Sequence, residues 1–334
     1  MSWLTLVANR LIWFVPTMLG LLTIVFVLSR VVPVDPAVLL AGENASAEQA
    51  QRIRERFGLN KPLPVQFLDY LYDTARGDLG RSLYTQQPVL TDLASRLPAT
   101  LELAVAATIL AVLIGVPLGI LGALHRRRWI DHALGIAAIS WLAIAPFWMA
   151  MELQSLFSMD LGWLPLSGRV AGFPPVHVTG LMSIDALIAG DGAALWSAIQ
   201  HMVLPTLTLA LPAAATLTRF TRNGVIAAMA SPSVAYQTAM GLPRRVIVWK
   251  YVLRMAIMAT VTQLGLTFGI LLTGAVVVET IFDWPGLGSY AINSILQSDY
   301  NAVMGFTLCT GAMLIVVNLL FDILQAAIDP RGSA

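Results

Sequence analysis

The sequence predicts an all-α membrane protein with six transmembrane helices, on the evidence of its composition, its apolar runs and the placement of its charges. Only 12% of the 334 residues are charged and 57% are hydrophobic, whereas about 25% of the residues in soluble domains are charged. The mean hydropathy is +0.75. A single cysteine, Cys309, excludes an internal disulfide framework and a CxxC metal site. The chain is therefore expected in a bilayer.

Six apolar runs account for the predicted transmembrane helices. Each is close to the roughly 20 residues that cross about 30 Å of hydrocarbon as a helix. They lie at about 11–31, 99–123, 133–157, 199–218, 255–278 and 303–327. A signal peptide is the alternative for the first run, but no small-residue cleavage site follows it, which favours an uncleaved span.

Basic side chains set the predicted orientation. The 124–132 loop has three arginines against one acid, and the 219–254 loop has six basic residues and no acid. The alternate loops, 158–198 and 279–301, are mainly acidic. Because cytoplasmic loops carry the excess of Lys and Arg, both basic loops and both chain termini are predicted to be cytoplasmic.

The predicted domains are an N-terminal transmembrane helix (1–31), an extracytoplasmic segment with short surface helices (32–98) and a core of five transmembrane helices (99–334). In the middle segment, Ser46 and Gln49 have capping-box spacing at the start of one helix. Pro64 can start a second helix, which Gly77 would end. The acids and bases of this segment nearly cancel, which favours a solvated face over a nucleic-acid partner.

The basic 219–254 loop has a pattern of its own. In "SPSVAYQTAMG", one predicted helix face carries Val234, Ala235, Thr238 and Ala239. Gly241 can end this helix and Pro243 can begin the next. We expect a helix–turn–helix under the membrane, whose small side chains let the groove of a partner approach closely. A mechanical coupling element needs such a surface.

The sequence "GLPRRVIVWKYVLR" follows a degenerate Glu-Ala-Ala-type segment. Eight further segments occur along nearly the whole chain, in this order: "VDPAVLLAG", "FGLNKPLPVQFLDYL", "GDLGRSL", "QPVLTDLASRLPATLELA", "GWLPLSGRV", "HMVLPTLTLAL", "ETIFDWPGLGSYAINSILQSDY" and "VNLLFDILQAAIDPR". Together they resemble the permeases of ABC importers, specifically the B-type subunit of the dipeptide, oligopeptide and nickel class.

This resemblance implies an ABC type I importer fold with a cytoplasmic coupling helix, in the bacterial cytoplasmic (inner) membrane. It implies three kinds of partner besides the lipid bilayer: a homologous second permease subunit, two ATP-binding subunits, and an extracytoplasmic binding protein that delivers di- or oligopeptides. ATP and Mg would be bound by the ATPase subunits, with no cofactor in this chain. The sequence contains no G-x-x-x-x-G-K-[ST] motif, so we expect a non-catalytic subunit.

The resemblance also assigns ATPase coupling to eight residues: Ala235, Tyr236, Gln237, Ala239, Gly241, Pro243, Arg244 and Arg245. Ala235, Tyr236 and Gln237 replace the charged residue that related permeases carry in Glu-Ala-Ala or Arg-Thr-Ala. Val34 stands where the family often has Gly. Arg244 and Arg245 are expected to contact an ATPase subunit, so reversing their charge should weaken transport without unfolding. Topology and lipid headgroups account instead for Arg219, Arg222 and Arg254.

A second predicted site lines the translocation path and its outer gate. The resemblance places Phe282, Asp283, Trp284, Pro285 and Gly286 there, with a re-entrant turn that caps the bundle as the alternative. Two acids lie within predicted transmembrane helices. Acids are costly in lipid, so both are candidate functional residues. Glu152 could face the path and meet the amino group of a peptide. Glu102, about one turn inside its helix, is explained by the helix N-terminus.

Other functions fit the sequence less well. The four histidines fall on opposite sides of the predicted membrane, so no metal cluster is expected and nickel as cargo rests on the resemblance alone. Antimicrobial peptides and polyamines are further alternative cargoes. A stand-alone channel or secondary transporter would usually show an internal repeat. An intramembrane serine protease would need a Ser and a His at one depth, which Ser140 and His201 do not share.

Overall fold

The computed structural model describes residues 3–31, 48, 51, 60–176 and 178–328. The helices in these residues are α1 (Trp3–Val31), α2 (Leu63–Ala75), α3 (Val89–Leu124), α4 (Trp129–Ala143), α5 (Pro146–Leu153), α6 (Met182–Ile188), α7 (Gly192–Met229), α8 (Pro232–Ala239), α9 (Leu253–Ile281), α10 (Leu287–Leu296) and α11 (Tyr300–Ile328). A π-helical segment, Gln154–Asp160, continues α5. A short helix, Arg244–Val246, and a second π-helical segment, Ile247–Val252, lead into α9.

The predicted all-α class is confirmed in the described part of the chain. There, the one β-type pairing is an isolated bridge between Arg81 and Pro88. The predicted capping box at Ser46 and Gln49 lies outside the described residues, as do Val34 and His177.

The chain is a multi-pass membrane protein. Four described helical stretches are long and apolar enough to cross a membrane: α3, α7, the stretch Arg244–Ile281, and Tyr300–Gln325 within α11. A bent pair, α4 and α5 with its π-helical continuation, makes a fifth span when counted as one. In α1 the apolar stretch Ile12–Val27 is shorter. The count of six spans stays a prediction.

The third apolar run is broken rather than straight. The helices on either side of the break are bent by 97°. Pro146 is the first residue of α5, and Ala145 before it is extended, with φ −66° and ψ 132°. Proline lacks an N–H and disfavours helical backbone in the residue before it. The break was not predicted, because hydrophobicity continues through the run 133–157 on both sides of Pro146.

Helix α2 confirms the prediction made from Pro64 and Gly77, although it begins one residue earlier, at Leu63. Gly77 has a left-handed backbone, with φ +83°, and its N–H donates to the Thr74 carbonyl at 3.0 Å. Glycine adopts this conformation without steric cost, which ends the helix.

The chain divides into two compact units, each described by itself. One comprises residues 98–289 and 316–334, and the other comprises 2–97 and 290–315. In the second unit, the buried Asp299 accepts hydrogen bonds from Ser82 Oγ and from the Leu83 N–H, both at 2.6 Å. The three predicted domains stay a prediction.

The first unit has two hydrophobic cores. The larger joins α3, α5, α7 and α9 with Phe282 and Trp284. The smaller, called here the coupling cluster, consists of Ala123, Val225, Ala228, Val234, Ile247, Val252 and Ala256. It packs the ends of α3 and α7 and the start of α9 against α8.

Helices α3 and α7 approach each other at two glycines. A Cβ on Gly115 would lie 2.7 Å from the Ala214 carbonyl oxygen, and one on Gly119 would lie 2.7 Å from the Thr218 carbonyl oxygen. The four-residue spacing puts both glycines on one helix face, the arrangement that lets helix backbones pack closely in membranes.

Candidate functional site

The predicted helix–turn–helix is present between α7 and α9. Ser231 caps α8 through a 3.4 Å hydrogen bond from the Val234 N–H to its Oγ. Gly241 has φ +74°, and the extended Pro243 precedes the helix that begins at Arg244. The glycine turn and the proline therefore act as the sequence predicted.

Seven of the eight predicted coupling residues are exposed on this helix–turn–helix: Ala235, Tyr236, Ala239, Gly241, Pro243, Arg244 and Arg245. Gln237 is the exception at 9% exposure, with its amide Nε2 3.4 Å from Ser233 Oγ. Val234 is buried too, in the coupling cluster. The prediction that Val234 shares a face with Ala235 and Ala239 is therefore wrong, because packing on α7 and α9 turns Val234 inward.

Two exposed side chains beside these residues were missed. Met240 is 65% exposed and Trp249 is 61% exposed, close to the 67% of Tyr236. Together with the exposed Arg244 and Arg245, they give the exposed part of the helix–turn–helix aromatic, methionine and arginine side chains, which are the residue types enriched in protein interfaces. The position of Met240 just before the Gly241 turn could have identified it.

The predicted gate residues occupy the turn between α9 and α10. Phe282, Trp284 and Gly286 are buried, whereas Asp283 and Pro285 are exposed. The Trp284 ring Nε1 donates to the Ala99 carbonyl at 2.9 Å. Phe282 and Trp284 thus anchor the turn in the larger core, and Asp283 and Pro285 are the two exposed residues of the five.

Glu279, in the last turn of α9, binds the residues that follow the turn between α9 and α10, and the sequence analysis missed it. Its fully buried carboxylate accepts hydrogen bonds from Thr100 Oγ1 at 2.6 Å and from the N–H groups of Gly288 at 2.6 Å and Ser289 at 3.1 Å. The Leu287 N–H donates to Thr100 Oγ1 at 2.8 Å. The free N–H groups that open α10 therefore face a carboxylate, which a helix N-terminus favours. A signal for this role was available in the sequence, because helix α10 begins within ten residues of Glu279.

Two glycines make room for that carboxylate. A Cβ on Gly286 would lie 2.4 Å from the Glu279 carboxyl group, and a Cβ on Gly288 would lie 2.4 Å from Val276 Cα. The sequence "PGLG" thus marks close backbone approach to α9 as well as a helix break.

Glu102 has a different explanation from the one predicted. Because α3 begins at Val89, Glu102 lies several turns from the helix N-terminus. It forms an ion pair with Arg169 and accepts from Ser183 Oγ at 2.6 Å. The Arg169 guanidinium lies 5.3 Å from the centre of the Trp284 ring. The loop after α5 is thereby held to α3 and to the turn formed by residues 282–286, called here the gate turn after its predicted role.

Glu152, the remaining predicted path residue, is exposed on α5. Arg222 was assigned to topology, but it pairs with Asp131 across two helices. His201 Nδ1 lies 2.7 Å from the Ser197 carbonyl oxygen. Within the described residues, no three His, Cys, Asp or Glu side chains are grouped closely enough to hold a metal ion.

The loop before α6 is organised by Asp185. Its carboxylate accepts from Thr179 Oγ1 at 2.6 Å and from the N–H groups of Thr179 at 2.7 Å and Gly180 at 3.0 Å. Burial raises the pKa of Asp185, but these hydrogen bonds outweigh it and lower the pKa from 3.8 to about 2.

This lowered pKa predicts a pH-dependent stability. The stabilisation by ionised Asp185 is complete above the ordinary pKa and is lost as the pH falls through about 2. Asp185→Asn should unfold at a lower temperature than the wild type at neutral pH, and the difference should shrink on acidification, measured by thermal unfolding in detergent. Asp160→Asn, at an exposed acid, is the control. A difference that stays constant down to about pH 2 would contradict the assignment.

Comparison with known proteins identifies the family to which this chain is similar. Residues 115–333 match the model of the binding-protein-dependent transport system inner membrane component family, and residues 3–104 match the model of its N-terminal region. A probable D,D-dipeptide transport system permease protein of Escherichia coli K12 is 42% identical, over 99% of this chain and 98% of its own length.

Other relatives extend that likeness. A dipeptide transport system permease protein of Alkalihalophilus pseudofirmus is 35% identical, with 97% of each chain covered. A glutathione transport system permease protein of Salmonella choleraesuis is 36% identical, with 98% of each covered. An inward-facing structure of the MetNI methionine ABC transporter shares the fold, with a TM-score of 0.50 and 16% identity over 69% of this chain and 93% of that one.

Proposed function

We infer that this chain, which belongs to the family of binding-protein-dependent transport system inner membrane components, is the permease subunit of an ABC importer of dipeptides. The observation that carries this conclusion is the match over nearly the whole chain to permeases whose names specify dipeptides. The exposed helix–turn–helix suits the same role, because it is a surface through which a second protein can push on α7 and α9.

The finer architecture of the proposal has six spans with both termini in the cytoplasm of a bacterial inner membrane. Helix α1 supplies the first span, since its 29 residues extend about 44 Å at about 1.5 Å per residue. The bent pair α4 and α5 supplies the third. This order puts the helix–turn–helix and the basic 124–132 loop on the cytoplasmic side, as the excess of arginine requires.

In this proposal the chain assembles with a homologous permease, two ATPase subunits and an extracytoplasmic binding protein, and it is not catalytic itself. ATP and Mg are bound by the ATPase subunits. Closure of the ATPase dimer displaces the helix–turn–helix as a rigid body. The coupling cluster transmits that displacement, because Val234 of α8 packs with Val225 of α7 and Ala256 of α9, and close-packed side chains move together.

Affinity purification and uptake together test this function. The tagged chain is purified from its native membrane in mild detergent, and bound proteins are identified by mass spectrometry with their stoichiometry. We expect one second permease and two ATPase subunits. The complex in proteoliposomes, with its binding protein and ATP, should take up labelled D,D- or L,L-dipeptide, with nickel and a polyamine as competing cargoes. Recovery of the chain alone, with no ATP-dependent uptake, would contradict the proposal.

Reversing the charge of Arg244 and Arg245 to Glu is expected to weaken ATPase binding and uptake by about tenfold, if each exposed charge contributes a fraction of a kcal/mol to about 1 kcal/mol at the interface. Folding should be unaffected because both side chains are exposed. Reversing the exposed Arg126 and Arg128 is the matched control. Unchanged co-purification and uptake in the first variant would show that Arg244 and Arg245 do not contact the ATPase.

A further inference from the structure

An ion pair joins α4 to α7 on the side of the helix–turn–helix. Arg222 Nε lies 2.6 Å from Asp131 Oδ1, and Arg222 Nη2 lies 2.8 Å from Oδ2. The Arg127 N–H also donates to Oδ2 at 3.0 Å. The Asp131 side chain is 7% exposed and the Arg222 side chain 32%. Two parallel bonds fix the angle between the groups as well as their distance.

The ion pair also links α4 to the part of α7 that belongs to the coupling cluster. Arg222 lies on α7 shortly before Val225 and Ala228, the two residues that α7 contributes to the coupling cluster. Helix α4 contributes none of the buried residues of that cluster. The pair therefore attaches α4 to α7, which packs with α8 in the coupling cluster.

The other end of the bent pair reaches the gate turn. Beyond the 97° bend, Gln154 Nε2 donates to the Ile281 carbonyl at 3.2 Å and to the Leu166 carbonyl at 2.9 Å. Ile281 directly precedes Phe282, the first residue of the gate turn. A displacement of α4 thus has a described contact through which it can act on that turn.

We propose that Asp131 and Arg222 are positioning residues, which couple movement of the helix–turn–helix through α4 and α5 to the gate turn. The inference rests on the proposed function, since it assigns a route to ATP-driven motion. A buried ion pair is weak evidence for stability as such. The bidentate contact of the Arg222 guanidinium with the Asp131 carboxylate instead fixes the relative orientation of α7 and α4. An apolar contact would not fix this orientation.

The test uses the complete importer in proteoliposomes with its binding protein. Uptake of dipeptide per ATP hydrolysed is measured for Asp131→Asn, Arg222→Gln and the double exchange Asp131→Arg with Arg222→Asp. Arg219→Gln is the control, since Arg219 is exposed on the same helix. We expect the single variants to assemble and hydrolyse ATP, with uptake per ATP reduced about tenfold, and the exchange to recover much of it.

A distance measurement separates positioning from folding. Spin labels are attached at Trp129→Cys on α4 and Ser233→Cys on α8, both exposed, with Cys309→Ser. In the otherwise wild-type chain the label distance should stay fixed when ATP binds, because α4 and α8 move together. In Asp131→Asn the distance should change with ATP. Arg222→Lys keeps the positive charge but cannot make the bidentate contact, so it should behave like Asp131→Asn.

Uptake per ATP equal to the wild type in both single variants would overturn the proposal. So would a fixed label distance in Asp131→Asn and Arg222→Lys. Failure of the proposed function would be seen elsewhere, as a wild-type chain that recruits no ATPase and transports nothing. Even then, a wider label distance distribution in purified Asp131→Asn would show that the pair sets the position of α4.

Discussion

Replacing Glu279 with alanine is expected to release the gate turn and abolish transport. The substitution leaves Thr100 Oγ1 and the N–H groups of Gly288 and Ser289 without the acceptor that each now has. A buried donor without an acceptor costs about 1–3 kcal/mol, and the gap left by the side chain adds to this. The sum is a large share of the stability of a typical domain.

Thermal unfolding in detergent and dipeptide uptake measure this effect. Glu279→Ala should unfold at a much lower temperature, and hydrogen exchange at Gly288 and Ser289 should accelerate. Glu279→Gln keeps one acceptor oxygen and should be intermediate. Glu152→Ala, at an exposed acid, is the control and should resemble the wild type in stability. Wild-type stability in Glu279→Ala would show that the turn is held without the carboxylate.

Replacing Gly119 with valine is expected to prevent α3 and α7 from packing. Even the Cβ of an alanine at this position would lie 2.7 Å from the Thr218 carbonyl oxygen and 2.7 Å from Thr221 Cβ. The first of these is backbone and cannot rotate away, so the helices must separate. Overpacking of a core costs typically about 1–3 kcal/mol and occasionally more, and here it acts on the helix pair that carries both cores of the first unit.

The control is Gly135→Val on α4, where a Cβ would meet nothing within 4 Å. Both variants place a β-branched residue in a helix, so the intrinsic helix propensity changes equally. Size-exclusion chromatography in detergent should give a normal monodisperse yield for Gly135→Val and little folded protein for Gly119→Val. Equal yields and equal unfolding temperatures would contradict close packing at Gly119.

The sequence was informative where the signal is local. Long apolar runs predicted the long helices, Gly77 and Gly241 predicted helix ends, and Pro243 predicted a helix start. Pro146 lies inside a run of unbroken hydrophobicity, so the bend there was missed although proline disfavours helix in the residue before it. The early start of α3, at Val89, was missed because the apolar run begins only at about residue 99.

The tertiary pairings were beyond reach for a physical reason. Arg222 and Asp131 are 91 residues apart, and Thr100 and Glu279 are 179 apart. Which side chains meet over such separations depends on helix crossing and rotation, which hydrophobic periodicity alone does not fix. The same applies to Gln237, whose burial follows from how α8 rests on its neighbours.

The Thr100–Glu279 hydrogen bond has a consequence for biogenesis. A chain emerges from the ribosome from its N-terminus and folds in that order, so α3 is complete long before α9 is made. Glu279 is therefore made long after Thr100, so this one of its hydrogen-bond partners is already in place when Glu279 enters the assembling protein. An intramembrane acid is costly until it is paired, which makes closure of the turn a late step of maturation. A nascent chain that stalls before residue 279 has its first helices in place but lacks the carboxylate that binds Thr100.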